Sequence, residues 1–174
     1  MKADPLEPKK AGFDTVFQDF GGTRLTEAAK TRRLAWFLSL AGFIPFAFLA
    51  SGLLILDANN PLRPLAIDGL KTYAAIILSF LGGIRWGLAM KASEPEKERL
   101  SLLLSVVPAI VGWISIFVPE PYVFGILILA FSAHGAWDSF AGQKGVFGLW
   151  FVKLRTVLTF IVVASLAVGF FVTV

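Results

Sequence analysis

The sequence has no cysteine among its 174 residues and a single histidine, His134. Without cysteine there is no disulfide scaffold, iron–sulfur cluster, thiolate zinc site or cysteine nucleophile. One histidine cannot supply both axial ligands of a haem within a monomer, and neither an H-E-x-x-H helix nor a three-histidine zinc set exists. An intramembrane aspartyl protease needs two buried aspartates, yet Asp57 and Asp68 fall in an interhelical loop region. Ser139 lacks the strained turn that presents a hydrolase serine. No glycine-rich phosphate loop follows a strand. These absences point away from enzymes, and no metal or cofactor is expected. Charge is scarce as well: 16% of residues are Asp, Glu, Lys or Arg, against about 25% in soluble domains.

What the chain has instead is apolar length. Hydrophobic residues make up 56% of it, and the mean hydropathy is +0.75. Five apolar runs, at about 34–56, 70–91, 101–118, 121–140 and 153–174, are each near the roughly 20 residues that carry a helix across a hydrocarbon core of about 30 Å. The ten-residue alternation of a membrane β-barrel is missing. The expected fold is therefore an all-α integral membrane protein with five transmembrane helices in an antiparallel bundle. Residues 1–30 form a polar N-terminal tail and 31–174 the transmembrane domain. Pro45 and Pro108 fall inside the first and third runs and predict kinks there. Short linkers such as "DANNPLRP" and "PEP" favour antiparallel neighbours.

The net charge of +4 reads as topology rather than nucleic-acid binding, because the basic residues cluster beside the apolar runs and no solvated basic face is visible. With a cytoplasmic N-terminus, thirteen Lys and Arg residues lie on the inner side and only Arg63 and Lys71 on the outer. The positive-inside rule then predicts N-terminus in and C-terminus out, in an inner (plasma-type) membrane. The tail has no cleavable signal pattern, and Asp4, Glu7, Asp14 and Asp19 argue against a mitochondrial presequence.

Polar residues inside the runs are few, and topology gathers them. Helices two and four run in the same direction, so Arg85, His134 and Asp138 share a layer in the inner half. Helix five enters that layer with Arg155, Thr156 and Thr159, and Ser39, Ser101 and Ser105 come from helices one and three. His134 and Asp138, four residues apart, share a helix face. A charge facing lipid at a helix centre costs roughly 2.5–3.5 kcal/mol on insertion scales, so such groups turn inward and pair. The predicted ion pair is Arg85 with Asp138, flanked by His134, Trp86 and Trp137. The outer half, by contrast, reads as nearly all Leu, Ile, Val, Phe and Ala. Gly83 and Gly87, spaced G-x-x-x-G, are candidates for close helix packing. Two roles stay open for the cluster: a clamp that fixes helix register, or a site for a ligand or proton.

The motifs "FLGGIRWGLAM", "HGAWDS" and "WFVKLRTVLT" resemble the transmembrane protein 69-like family, over about 70–160. The resemblance implies a small multi-pass inner-membrane protein with no assigned reaction, so no catalytic role passes to Arg85, His134, Asp138 or Arg155. The expected function is a non-enzymatic binding or accessory protein. The alternative is a small transporter or proton-coupled carrier, with Arg85 binding an anion and His134–Asp138 relaying protons. Expected partners are the lipid bilayer and either a small anionic or hydrophobic ligand or a membrane-protein partner, with no nucleic acid.

Overall fold

The computed structural model describes residues 29–90, 95–143 and 148–174. The expected tail, 1–30, lies almost wholly outside the described residues, as do Lys91 and Lys144. The chain forms two units, 1–39 and 40–174. The described part of the first is helical, and that helix continues through residue 41. The second contains five helices: α1 (Ile44–Ile55), α2 (Arg63–Ala89), α3 (Pro95–Ser115), α4 (Tyr122–Gln143) and α5 (Leu149–Thr173). No strand occurs among the described residues.

Four stretches are long and apolar enough to cross a bilayer: Ala29–Ile55, Arg63–Ala89, Tyr122–Gly142 and Trp150–Thr173. The third run read from the sequence is the shorter apolar helix Arg99–Ser115. The surface is what lipid solvation requires. Leu54, Phe80, Leu103, Leu129, Phe160 and Phe171 are all more than 60% exposed, an apolar area that a water-soluble monomer does not present.

Local chemistry sets the helix limits. Pro45 has no N–H to give to the Ala41 carbonyl, and its ring clashes there. The helix accordingly breaks at Gly42–Phe43 and restarts at Ile44. The Tyr73 hydroxyl donates to the Gly42 carbonyl at 2.7 Å, so the break carries its own partner. Pro108, by contrast, sits within a continuous α3, so no break follows from it. α2 starts seven residues before the expected span. Asn60 Oδ1 accepts the Leu62 amide at 2.9 Å, and Pro64, pre-set in φ, fills the first turn. That earlier start puts Arg63 and Asp68 on a helix instead of in a loop, ahead of Lys71.

The core lies where α1, α2, α4 and α5 meet. Phe46, Leu53, Leu70, Leu78, Phe124 and Leu166 are essentially inaccessible there. The Phe46 ring meets Tyr73 edge-on at 5.0 Å and Phe131 at 6.4 Å. Phe80 and Trp86, which a shift of 51 residues aligns with Phe131 and Trp137, face outward. The pairs therefore share rhythm but not environment.

Glycines set the closest helix contacts, though not the expected ones. Gly83 and Gly87 are exposed, with open space around both. This corrects the packing role read from their spacing, because both lie on the lipid-facing arc of α2. Gly82 is the packing residue. A Cβ there would stand 2.5 Å from the Ser105 carbonyl oxygen on α3, and one on Gly112 would stand 2.9 Å from the Ala75 carbonyl oxygen on α2. Without a hydrophobic drive between helices in lipid, such backbone approach supplies much of the attraction.

Gly82→Ala should destabilise the folded protein by about 1–3 kcal/mol, the usual cost of overpacking, whereas Gly83→Ala and Gly87→Ala should leave it unchanged. Thermal or denaturant unfolding of the three variants in detergent measures the contrast.

Candidate functional site

The seam between α4 and α5 explains how three charged side chains come together. Phe124 lies over Gly169, Gly135 over Thr159, and Gly142 over Val152. These pairs step along the antiparallel helices in one register, with a glycine admitting a bulkier partner each time. The closest approach is at Gly142, against the Val152 side chain, and at Gly135 a Cβ would meet the Thr159 hydroxyl at 2.6 Å. Three residues on from Gly135 is Asp138, and four back from Thr159 is Arg155. The same register therefore sets them opposite each other.

Asp138 is the centre of the site. Its Oδ2 accepts the Arg155 Nε–H at 2.7 Å, and its Oδ1 lies 2.6 Å from Arg85 Nη2. The carboxylate is shared by guanidiniums from α2 and α5, while it is itself carried by α4. All three side chains are at least nine-tenths buried. The Arg85 guanidinium also lies over the Trp137 ring, 4.4 Å from its centroid, a cation–π contact of the kind that strengthens on desolvation. His134 packs edge-on against Trp137 at 6.1 Å. Its Nε2 is 3.9 Å from Asp138 Oδ2, too far for a direct hydrogen bond.

Of the residues singled out in the sequence, Arg85, His134, Trp137, Asp138 and Arg155 come together, and Thr159 supports them from the seam. Trp86 does not. It is 47% exposed, because one residue's rotation on α2 turns it away from the side that carries Arg85. Ser105 and Thr156 also stay out, each bonding a carbonyl of its own helix. Arg155 as a direct partner of Asp138 was not legible, since it depends on the α4–α5 register.

The opposite pole, read as nearly all apolar apart from Arg63 and Lys71, carries a charged set of its own. Arg63 Nη1 donates to the carbonyls of Leu56 at 2.6 Å and Leu53 at 3.4 Å, and Nη2 to that of Val172 at 3.2 Å. One cation thus caps the C-terminal ends of α1 and α5, where carbonyls lack partners and the helix dipole is negative. Beside it Lys71 Nζ bridges Asp68 at 2.7 Å and Glu120 at 2.8 Å. The Lys71 ammonium, hydrogen bonded to Glu120, holds that carboxyl below its ordinary range. The available signal was the phase of Arg63, Ile67 and Lys71, four residues apart, which places them on one helix face.

Asp138→Asn should be the most damaging single change at the site, by about 3–5 kcal/mol, because it removes the buried carboxylate charge that both guanidiniums contact. Arg85→Gln or Arg155→Gln should cost less, since Asp138 keeps the other guanidinium. Unfolding in detergent gives the ranking. For Glu120, a lowered carboxyl pKa means its contribution is complete above the ordinary value of 4.5 and fades as pH falls through the lowered one. The gap in melting temperature between the native chain and Glu120→Gln should therefore be constant from pH 7 to 5 and shrink below that range.

Comparison with known proteins places this architecture. A family model described as "Protein of unknown function (DUF3429)" matches residues 31–171. Transmembrane protein 69 of Xenopus tropicalis is 34% identical over 137 residues, covering 76% of this chain and 51% of the relative. Transmembrane protein 69 of Mus musculus is 32% identical over 164 residues, covering 94% of this chain and 61% of the relative. The chain spans between half and about three-fifths of the length of these relatives. No solved structure matches it. The match includes all five helices, and the chain belongs to this DUF3429, transmembrane protein 69-like family of multi-pass helical membrane proteins.

Proposed function

We propose that the protein is a membrane-embedded, non-enzymatic binding protein whose Arg85–Asp138–Arg155 cluster accepts an anionic group from the cytoplasmic side of an inner membrane. One observation carries this reading: two buried guanidiniums share one carboxylate. Two buried guanidiniums held on one carboxylate present N–H donors that an anion can bridge, and charge-assisted hydrogen bonds strengthen away from water. An anionic head group or small anion is the simplest ligand of that chemistry. The twelve other basic residues that the positive-inside rule assigns to this side of the membrane would raise the local concentration of such a ligand.

The carrier reading asks Asp138 to exchange protons with His134. The 3.9 Å gap between His134 Nε2 and Asp138 Oδ2 gives no direct path. Binding is favoured over proton-coupled transport on that ground. The orientation rests on the charge bias under the positive-inside rule, with the N-terminus in the cytoplasm and the C-terminus outside. A C-terminal reporter active only in the cytoplasm should be silent.

The test replaces the whole charge set, because any partial replacement leaves an unpaired ion. The triple variant Arg85→Met, Asp138→Leu, Arg155→Met should fold, as buried ionic triads often tolerate apolar substitution. It should also lose the thermal stabilisation that phosphatidylglycerol or inorganic phosphate gives the native chain. If neither probe stabilises the native chain, or the triple variant keeps the response, the anion-binding reading is wrong.

A further inference from the structure

A cleft of about 750 Å³ opens at the pole opposite Asp138, between the loop after α1, the first turns of α2, the turn before α4 and the end of α5. Its volume lies in the range of ligand pockets, about 300–1,000 Å³. Both signs of charge line it: Arg63 and Lys71 against Asp68 and Glu120, over apolar contacts from Ile67 and Val172. Arg63 is the first residue of one candidate span, and the cleft's far wall is the end of another. The opening is therefore level with the head groups of the bilayer.

The donors there are held in place but not used up. Arg63 has five N–H donors and serves three carbonyls. Lys71 has three and serves two carboxylates. Asp68 is the open end of that bridge, its side chain 62% exposed against 32% for Glu120. Charge within the opening is balanced, so a simple anion gains nothing over water that the facing carboxylates do not take back. A ligand carrying both signs matches it. Its anion would lie against Arg63 and Lys71, and its cation against Asp68.

We infer that this cleft binds a zwitterionic phospholipid head group of the phosphoethanolamine type. The phosphate diester draws on the spare donors of Arg63 and Lys71, and the primary ammonium donates to Asp68. The acceptors are carboxylates that reward a cation with N–H groups, so an ethanolamine head is preferred over choline, whose quaternary nitrogen has none. Ile67 and Val172 carry the glycerol and the start of the acyl chains. Nothing in this depends on anion binding at the other pole.

Native mass spectrometry of the full chain in detergent, with equal amounts of short-chain phosphatidylethanolamine, phosphatidylcholine and phosphatidylglycerol, reads the preference. Phosphatidylethanolamine should be bound on the order of tenfold more tightly than either competitor, about what one charge-assisted hydrogen bond supplies. Asp68→Asn removes the exposed negative charge, leaves Lys71 bridged to Glu120, and should abolish the preference for ethanolamine over choline without changing the unfolding temperature. Arg85→Gln should leave the preference intact. Equal binding of the three lipids overturns the inference, as does a preference that survives Asp68→Asn. Competition by water-soluble glycerophosphoethanolamine as strong as that of the lipid overturns the assignment to a membrane lipid.

Discussion

A carboxylate in hydrocarbon has to be neutralised close at hand, and Asp138 is neutralised twice. Each oxygen meets a guanidinium from a different helix, so the aspartate fixes α2 and α5 against α4 in one contact. Apolar side chains give no comparable direction, since lipid tails are as apolar as leucine and helices slide past one another at little cost. The ion set supplies the missing specificity. It also depends on the glycine seam, because Arg155 reaches Asp138 only where Gly135 lets Thr159 approach.

α2 links the two ends of the molecule. It carries Arg63 and Lys71 at one end and Arg85 at the other, and the fourteen residues from Lys71 to Arg85 rise only about 21 Å. That is well short of the roughly 30 Å of a hydrocarbon core. Some of these charges must therefore lie below the head groups. Their low exposure answers the difficulty: the Lys71 side chain is 15% exposed and that of Arg85 10%. These two cations are largely covered by protein, and between them Ile76, Phe80 and Gly83 face outward, with Thr72 beside Lys71.

Composition and run length were enough to read the helical bundle, because a chain this apolar has few alternatives in lipid. The meeting of Arg85 with Asp138 was legible for a related reason: alternating helices must put residues near the same ends at the same depth. What escaped was everything set by rotation and register. G-x-x-x-G spacing selects a face of α2 but not the partner it meets, so Gly82 packs while Gly83 faces lipid. Trp86 and Arg85 are sequence neighbours about 100° apart on a helix, and only one of them can point inward. Arg63 and Asp68 were hidden by the boundary of α2. A span drawn at residue 70 leaves both in a loop, whereas a start at Arg63 makes them part of the bundle.

The two poles differ in kind, and the difference follows from their counter-charges. At one end Lys71 is divided between two carboxylates while Arg63 is satisfied by carbonyl dipoles. That end is neutral overall and open to the interface. At the other end one carboxylate is divided between two arginines, all three side chains nine-tenths or more buried. Helix dipoles act unequally on the two arginines, because Asp138 and Arg85 stand at like ends of parallel helices while Arg155 stands at the opposite end of α5. The C-terminal halves of α2 and α4 favour cations there and the first turns of α5 oppose them. Arg155 is thus the less well compensated guanidinium of the two, and its neighbourhood is where a bound anion would relieve the most charge.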